Sequence, residues 1–324
     1  MGLFSSLSRA FRRERTPADL ARWLDLPEAE LRAWLKDTPA WTRGYDYSRF
    51  TIPKRRGGSR TIEAPGEKLK ALQRRVLHRL LNPLPAHPAA TGFVPGRSIV
   101  DNARPHAGRG VVINLDLADF FPGITAGRVA ESLRGLGWGA EAAEIVSQMC
   151  THEGHLPQGA PTSPALSNLV CRRLDARLAA LAEKHGGQYT RYADDITLSF
   201  PGLGINKRLR PKPKSQPLFQ RPPSLSGVKR SRRPPSRALL TQIRGIIEDE
   251  GFQIQMKKKV RLQRPHQRQT ATGLVVNQTV NMPRQTRRLI RAMQHYEQTG
   301  RLDAGEQKRL RGLEALLTMV ENQR

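Results

Sequence analysis

The chain is 324 residues long and sets 55 Lys and Arg against 28 Asp and Glu, a formal net charge of +27. A surplus of that size disfavours self-association and attracts polyanions, so nucleic acid is the expected partner class. The two cysteines, Cys150 and Cys171, show neither metal-ligand spacing nor a disulfide framework, which fits a reducing, cytoplasmic setting. No apolar run is long enough to cross a bilayer, so no membrane partner is expected. Met1 to Ser6 matches a myristoylation pattern, but a basic amphipathic first helix accounts for those residues without a lipid.

Residues 17–36 predict two short helices. Ala18, Leu20, Ala21 and Leu24 supply one apolar face, Leu26, Leu31 and Leu35 the next, with Asp25 and Pro27 between them. An N-terminal helical cap on the main domain is preferred to a DNA-binding helix-turn-helix. Lys54 to Arg60 predict a basic hairpin tip turning at Gly57-Gly58. A helix is expected over 67–81, a strand buried on both faces over 111–117, and helices over 127–136 and 140–150. Ser163-Pro164 is a helix start, and the apolar stripe continues through Leu166, Leu169, Leu174, Leu178 and Leu181 to a stop at Gly186-Gly187. Tyr189 to Phe200 alternates as strand does. Residues 203–237 are rich in Pro, Lys and Arg and hold no acidic residue. That segment is expected to be disordered when free and to meet RNA phosphates without reading sequence. A helix over 237–250, a short strand at 252–254, and two helices over 284–299 and 304–321 complete the reading.

Tyr192-Ala193-Asp194-Asp195 places adjacent carboxylates in strand-like sequence, so a hairpin turn should present two acids to one point. Like charges so close repel unless a cation lies between them. Mg²⁺ prefers oxygen ligands, one or two carboxylates plus phosphate oxygens, and makes sense of the pair. Asp116 ends an apolar strand, where burying a carboxylate is costly; as a third acid it completes a site for two ions. Asp119 is less specific.

These strings carry a family resemblance. Asp116-Leu117-Ala118-Asp119-Phe120-Phe121-Pro122 resembles the first catalytic motif of reverse transcriptases. Leu156 to Pro164 resembles their Gln-Gly motif, Tyr192 to Asp195 their signature motif, and Gly251 to Lys258 the glycine-to-lysine motif that follows. The resemblance implies two Mg²⁺ ions, with Mn²⁺ as a substitute, on Asp116, Asp194, Asp195 and the carbonyl of Leu117. It implies that Phe121 rejects a ribose 2′-hydroxyl, that Gln158 and Gly159 meet the nucleotide, and that Lys54 and Arg60 grip the triphosphate of a dNTP. Lys258 would protonate pyrophosphate, with Lys257 and Lys259 leaving that assignment open by one position.

Asn102-Ala103-Arg104-Pro105-His106 and Ala271-Thr272-Gly273 resemble elements of the retron branch, the second with Ala271 where valine is usual. The retron resemblance implies a cognate structured non-coding RNA, priming from a guanosine 2′-hydroxyl, multicopy single-stranded DNA joined to RNA, an RNA–DNA hybrid, and a separate effector protein in antiphage defence. Asn102, His106, Thr272 and Gly273, with Arg284, Arg287, Arg288 and Arg291, are the candidate RNA contacts; for His106 a satisfied histidine within the protein is an equal alternative. The competing readings are an intron-like, diversity-generating or abortive-infection reverse transcriptase, and a non-catalytic RNA binder on a polymerase fold. The expected architecture is α+β, a right hand with a helical extension over 1–45, fingers and palm over 46–277, and a helical thumb over 278–324.

Overall fold

The computed structural model describes residues 14–35, 46–54, 57–201, 237–255 and 260–323. Lys258 and the basic insertion up to residue 236 lie outside these. In chain order the elements are α1 (Pro17–Leu24), α2 (Glu28–Arg32), β1 (Tyr47–Pro53), β2 (Ser59–Pro65) and α3 (Glu67–Val76). Then come α4 (Ile99–Ala103), β3 (Val111–Asp116), α5 (Ala126–Arg134), α6 (Ala140–Cys150), α7 (Ser163–Val170) and α8 (Arg172–Lys184). β4 (Gln188–Tyr192), β5 (Asp195–Phe200), α9 (Arg237–Asp249), β6 (Arg261–Gln263), β7 (Thr270–Ala271), β8 (Leu274–Val275), α10 (Arg284–Gln298) and α11 (Ala304–Gln323) complete the chain.

Contacts group these elements into two units. The first holds Met1–Pro88, Phe93–Pro95 and Leu117–Arg173; the second holds Ala89–Gly92, Gly96–Asp116 and Leu174–Arg324. Within the first unit α1 packs on α6, and within the second the last helices share a core with β3.

In the first unit, a capping box between Thr16 and Asp19 starts α1, and Leu20 and Leu24 point inward. Val129, Leu133, Ile145, Val146 and Met149 of α5 and α6 are fully buried. Each such side chain contributes roughly 1.5–3 kcal/mol by leaving water. β1 and β2 form the basic hairpin in register from Tyr47↔Pro65 to Pro53↔Ser59, turning at Gly57 and Gly58, both at positive φ. β1 is exposed along nearly its whole length.

The second unit is built on an antiparallel sheet of order β4-β5-β3-β6. Val112, Ile113, Leu115, Ile196 and Leu198 are buried in its middle strands. Val112, Ala271, Leu274, Val276, Ile290, Met293, Leu310 and Val320 form one core, so α10, α11 and the β7–β8 hairpin close over β3. That hairpin turns at Thr272 and Gly273, both at positive φ, the pattern of a two-residue type I′ turn.

Two expectations need correction. The helix from Ser163 does not run unbroken: Cys171, a turn residue still right-handed at φ −76 and ψ −2, caps α7 and separates it from α8. The strand expected over 252–254 shrinks to a single bridging residue, Ile254, beside which the Gln255 N–H bonds the Asp116 carbonyl. Gly251 at φ 71 and the Phe252 N–H bond to the Ile247 carbonyl wrap that segment around the end of α9, as in a Schellman cap. The fourth strand is β6, pairing with Val112 to Asn114.

Candidate active site

The sheet of the second unit assembles the acids. β3 and β5 pair so that Asp116 lies directly opposite Asp195. Such cross-strand positions set Cβ atoms about 4.5–5.5 Å apart, and like charges there are destabilising. At about 5 Å and an effective dielectric near 20 the repulsion is about 3 kcal/mol before solvent screening. Asp116 is half-buried and Asp195 exposed. Tyr192 also pairs with Asp195, leaving Ala193 and Asp194 as a two-residue turn. Asp194 is thus presented at the same end of the sheet as the other two acids. The Gln255 N–H donates to the Asp116 carbonyl at 2.8 Å, anchoring the end of β3 from outside the ladder.

The donor set is three carboxylates, hard oxygen ligands of the kind Mg²⁺ takes, and a cation would turn their mutual repulsion into attraction. The residues therefore fit divalent metal ions.

Around this turn lie residues that sequence reasoning missed. Arg191 and Asp175 are both fully buried and form a bidentate ion pair, with Nε and Nη2 each 2.8 Å from a carboxylate oxygen. The Tyr189 hydroxyl donates to Asp175 at 2.6 Å, and Arg191 Nη1 donates to the Ala193 carbonyl at 3.1 Å. The available signal was an arginine directly before the signature motif, together with an aspartate on the apolar stripe of α8.

His106 is buried beneath the same hairpin. Its Nδ1 lies 2.7 Å from Ser199 Oγ on β5 and its Nε2 2.8 Å from Thr190 Oγ1 on β4. The Thr190 hydroxyl donates to the Asn102 carbonyl at 3.2 Å, so Thr190 accepts from Nε2–H and Nδ1 accepts from Ser199. Burial and the neighbouring Arg109 push the His106 pKa down to about 3, so the ring is neutral. Asn102 is equally buried and accepts from the Thr91 hydroxyl at 2.8 Å. Both residues are buried within the protein, where they tie α4 to the strands that carry the acids. Thr272 donates to the Ile99 carbonyl at 3.1 Å, and Gly273 completes its turn, so that element clasps α4 as well. Arg284, Arg287, Arg288 and Arg291 are exposed along α10, while Ile290 and Met293 face inward.

The first unit carries the other candidates. Phe121 is half-buried, with its ring 5.3 Å from Phe120 and 6.0 Å from Phe93, itself at φ 62. Leu117 is buried. Gln158 accepts from the Glu63 N–H at 3.0 Å, and a Cβ on Gly159 would lie 2.7 Å from the Glu63 carbonyl. Glycine at 159 is what lets the Gln-Gly segment lie against β2. Lys54 and Arg60 are exposed on the hairpin, and Lys54 brackets its turn through bonds with Gly57 and Gly58. Glu63, His152 and Glu153 also bring donor atoms within 4.8 Å of one another. There the Arg49 guanidinium already sits 2.8 Å from Glu63 and 2.7 Å from Glu153, in the place a cation would take.

Over residues 52–209 the chain matches the family Reverse transcriptase (RNA-dependent DNA polymerase). The retron Mx65 reverse transcriptase of Myxococcus xanthus is 39% identical over 324 residues, covering 94% of this chain and 68% of that protein. The retron Mx162 reverse transcriptase of the same organism is 37% identical, covering 93% and 63%. The retron Ec86 reverse transcriptase of Escherichia coli is 33% identical, covering 87% and 79%. The chain thus spans about two thirds of the length of its two Myxococcus relatives. These matches show an RNA-directed DNA polymerase of α+β, right-hand class. Within that class, the chain belongs to the retron reverse transcriptases.

Proposed function

We propose that this polymerase binds a structured non-coding RNA, primes from a guanosine 2′-hydroxyl within it, and extends that end into single-stranded DNA joined to RNA. The observation that carries the reading is the register that opposes Asp116 to Asp195 and puts Asp194 in the adjoining turn. Asp116, Asp194, Asp195 and the Leu117 carbonyl would hold two Mg²⁺ ions. When bound, these supply charge neutralisation at the triphosphate and a more acidic attacking hydroxyl. Lys54 and Arg60 receive the triphosphate, Arg60 able to do so bidentately. Gln158 and Gly159 orient the nucleotide, and the Phe121 ring excludes a 2′-hydroxyl on it. Lys258 gives a proton to the departing pyrophosphate. The four arginines of α10 meet phosphates of the RNA. An effector protein, with a role in defence against phage, completes the system.

The test is co-expression of the gene with its flanking DNA, beside an Asp194→Asn/Asp195→Asn variant that keeps size and loses charge. A branched RNA–DNA species in wild type alone is the expected result. Its absence, with primed RNA templates still extended by the pure protein, would remove the branched priming and leave the polymerase. No extension of any template would sink the catalytic site.

A further inference from the structure

The two-residue turn that presents Asp194 is strained. Ala193 has φ 57, a left-handed conformation that is sterically costly for any residue with a Cβ. Such a conformation persists only where its surroundings over-determine it. Two independent features of the second unit do so here. Arg191, one residue before the signature motif, spends three donors in fixed directions, two on Asp175 and one on the Ala193 carbonyl. Both charges are fully buried, and the Tyr189 hydroxyl donates to the same Asp175 oxygen as Arg191 Nε. A buried pair of this kind is generally no more stabilising than well-packed apolar residues would be. Stability alone therefore does not explain it, whereas its grip on one strained carbonyl does.

The second feature comes from a different part of the chain. Residues 89–91 run along β4, with the Arg191 N–H donating to the Ala89 carbonyl and the Thr91 N–H to the Arg191 carbonyl, both at 2.9 Å. This brings Gly92 onto the turn. A Cβ there would lie 2.5 Å from the Ala193 nitrogen, 3.0 Å from the Tyr192 carbonyl carbon and 3.1 Å from Tyr192 Cα. All three are backbone atoms of the signature motif, so any side chain at 92 must displace the turn itself. Gly92 has no positive φ to justify it; close approach is the reason for glycine.

We propose that Gly92 and the buried Arg191–Asp175 pair are positioning residues that hold the Ala193–Asp194 turn in its strained form and thereby set its affinity for divalent cations. The proposal rests on Asp194 and Asp195 as metal ligands. Outer-shell residues that orient ligands commonly change metal affinity about 10–100-fold when altered.

The experiment titrates Mn²⁺ into the substrate-free protein, following free Mn²⁺ by electron paramagnetic resonance. Primer extension against Mg²⁺ and against dNTP is run in parallel. Gly92→Ala should weaken Mn²⁺ binding by about 10-fold or more and raise the half-saturating Mg²⁺ concentration in step. The KM for dNTP at saturating Mg²⁺ should stay within about twofold, a split that general loosening of the fold would not produce. Unchanged Mn²⁺ affinity in a folded Gly92→Ala protein would overturn the proposal. Should that variant unfold, Arg191→Met/Asp175→Leu decides by the same criterion, since removing both charges strands neither. Asp194→Asn is the control. If it binds Mn²⁺ as wild type does, the metal-ligand reading itself has failed; if it loses binding while both positioning variants keep it, only the present inference has.

Discussion

Lowering the pH from 7 to 5 should cost the fold about 2 kcal/mol through His106 alone. In the folded protein burial, with a smaller contribution from Arg109, holds this ring's pKa at about 3, against an ordinary value of 6.5. The folded state keeps it neutral throughout that range, while the unfolded chain takes up a proton below 6.5. Protonation therefore favours unfolding. The stability tied to the neutral ring is fully present above pH 6.5 and is lost progressively as the pH falls towards 3. At pH 5, one and a half pH units below the unfolded value and at about 1.4 kcal/mol per unit, the loss is about 2 kcal/mol. The assay is urea unfolding followed by far-UV circular dichroism at pH 7, 6 and 5, on wild type and on His106→Gln. Glutamine does not titrate and can still bond one of the two hydroxyls, Ser199 or Thr190. Wild type should lose about 2 kcal/mol more than the variant between pH 7 and 5. Parallel losses in the two proteins would refute the neutral, buried histidine and favour RNA contact for it.

Other consequences follow from the same geometry. Arg191→Met leaves the Asp175 carboxylate buried and uncompensated and should destabilise by about 3–5 kcal/mol, with Asp175→Leu restoring much of it in a double-mutant cycle. Burial pushes the Cys150 thiol up to about 12, and Cys171 is equally inaccessible. Native protein should therefore show neither thiol to a disulfide reagent at pH 8, and urea-unfolded protein both. Replacing Arg284, Arg287, Arg288 and Arg291 with Gln should lower the slope of log affinity for RNA against log salt by about 0.7–0.9 per lost phosphate contact. An unchanged slope would remove that face from the RNA interface. Phe121→Val should admit ribonucleotides while leaving dNTP use largely intact, read as the ratio of the two kcat/KM values; an unchanged ratio would discard Phe121 as the residue that screens the sugar.

Much of this was legible in the residues because it is local. Hairpin turns at Gly57-Gly58, the apolar run ending at Asp116, and the helical stripes of α5, α6, α10 and α11 follow from side-chain periodicity and turn chemistry, which act over a few residues. The signature acids stood out because adjacent carboxylates in strand-like sequence have few uses without a cation. Tertiary structure alone decided the rest, because burial of a polar group depends on segments far apart in sequence. The Asn102 and His106 string reads equally well as surface or interior until Thr190 and Ser199 are brought over it. Arg191 looks like one more basic residue among the 55 Lys and Arg of the chain until Asp175 meets it. The break at Cys171 lies inside an uninterrupted apolar stripe, where periodicity is silent. Strand choice between 252–254 and 261–263 likewise turned on which segment pairs along β3 and which meets only its end at Asp116, a question of long-range pairing on which local propensity has no vote.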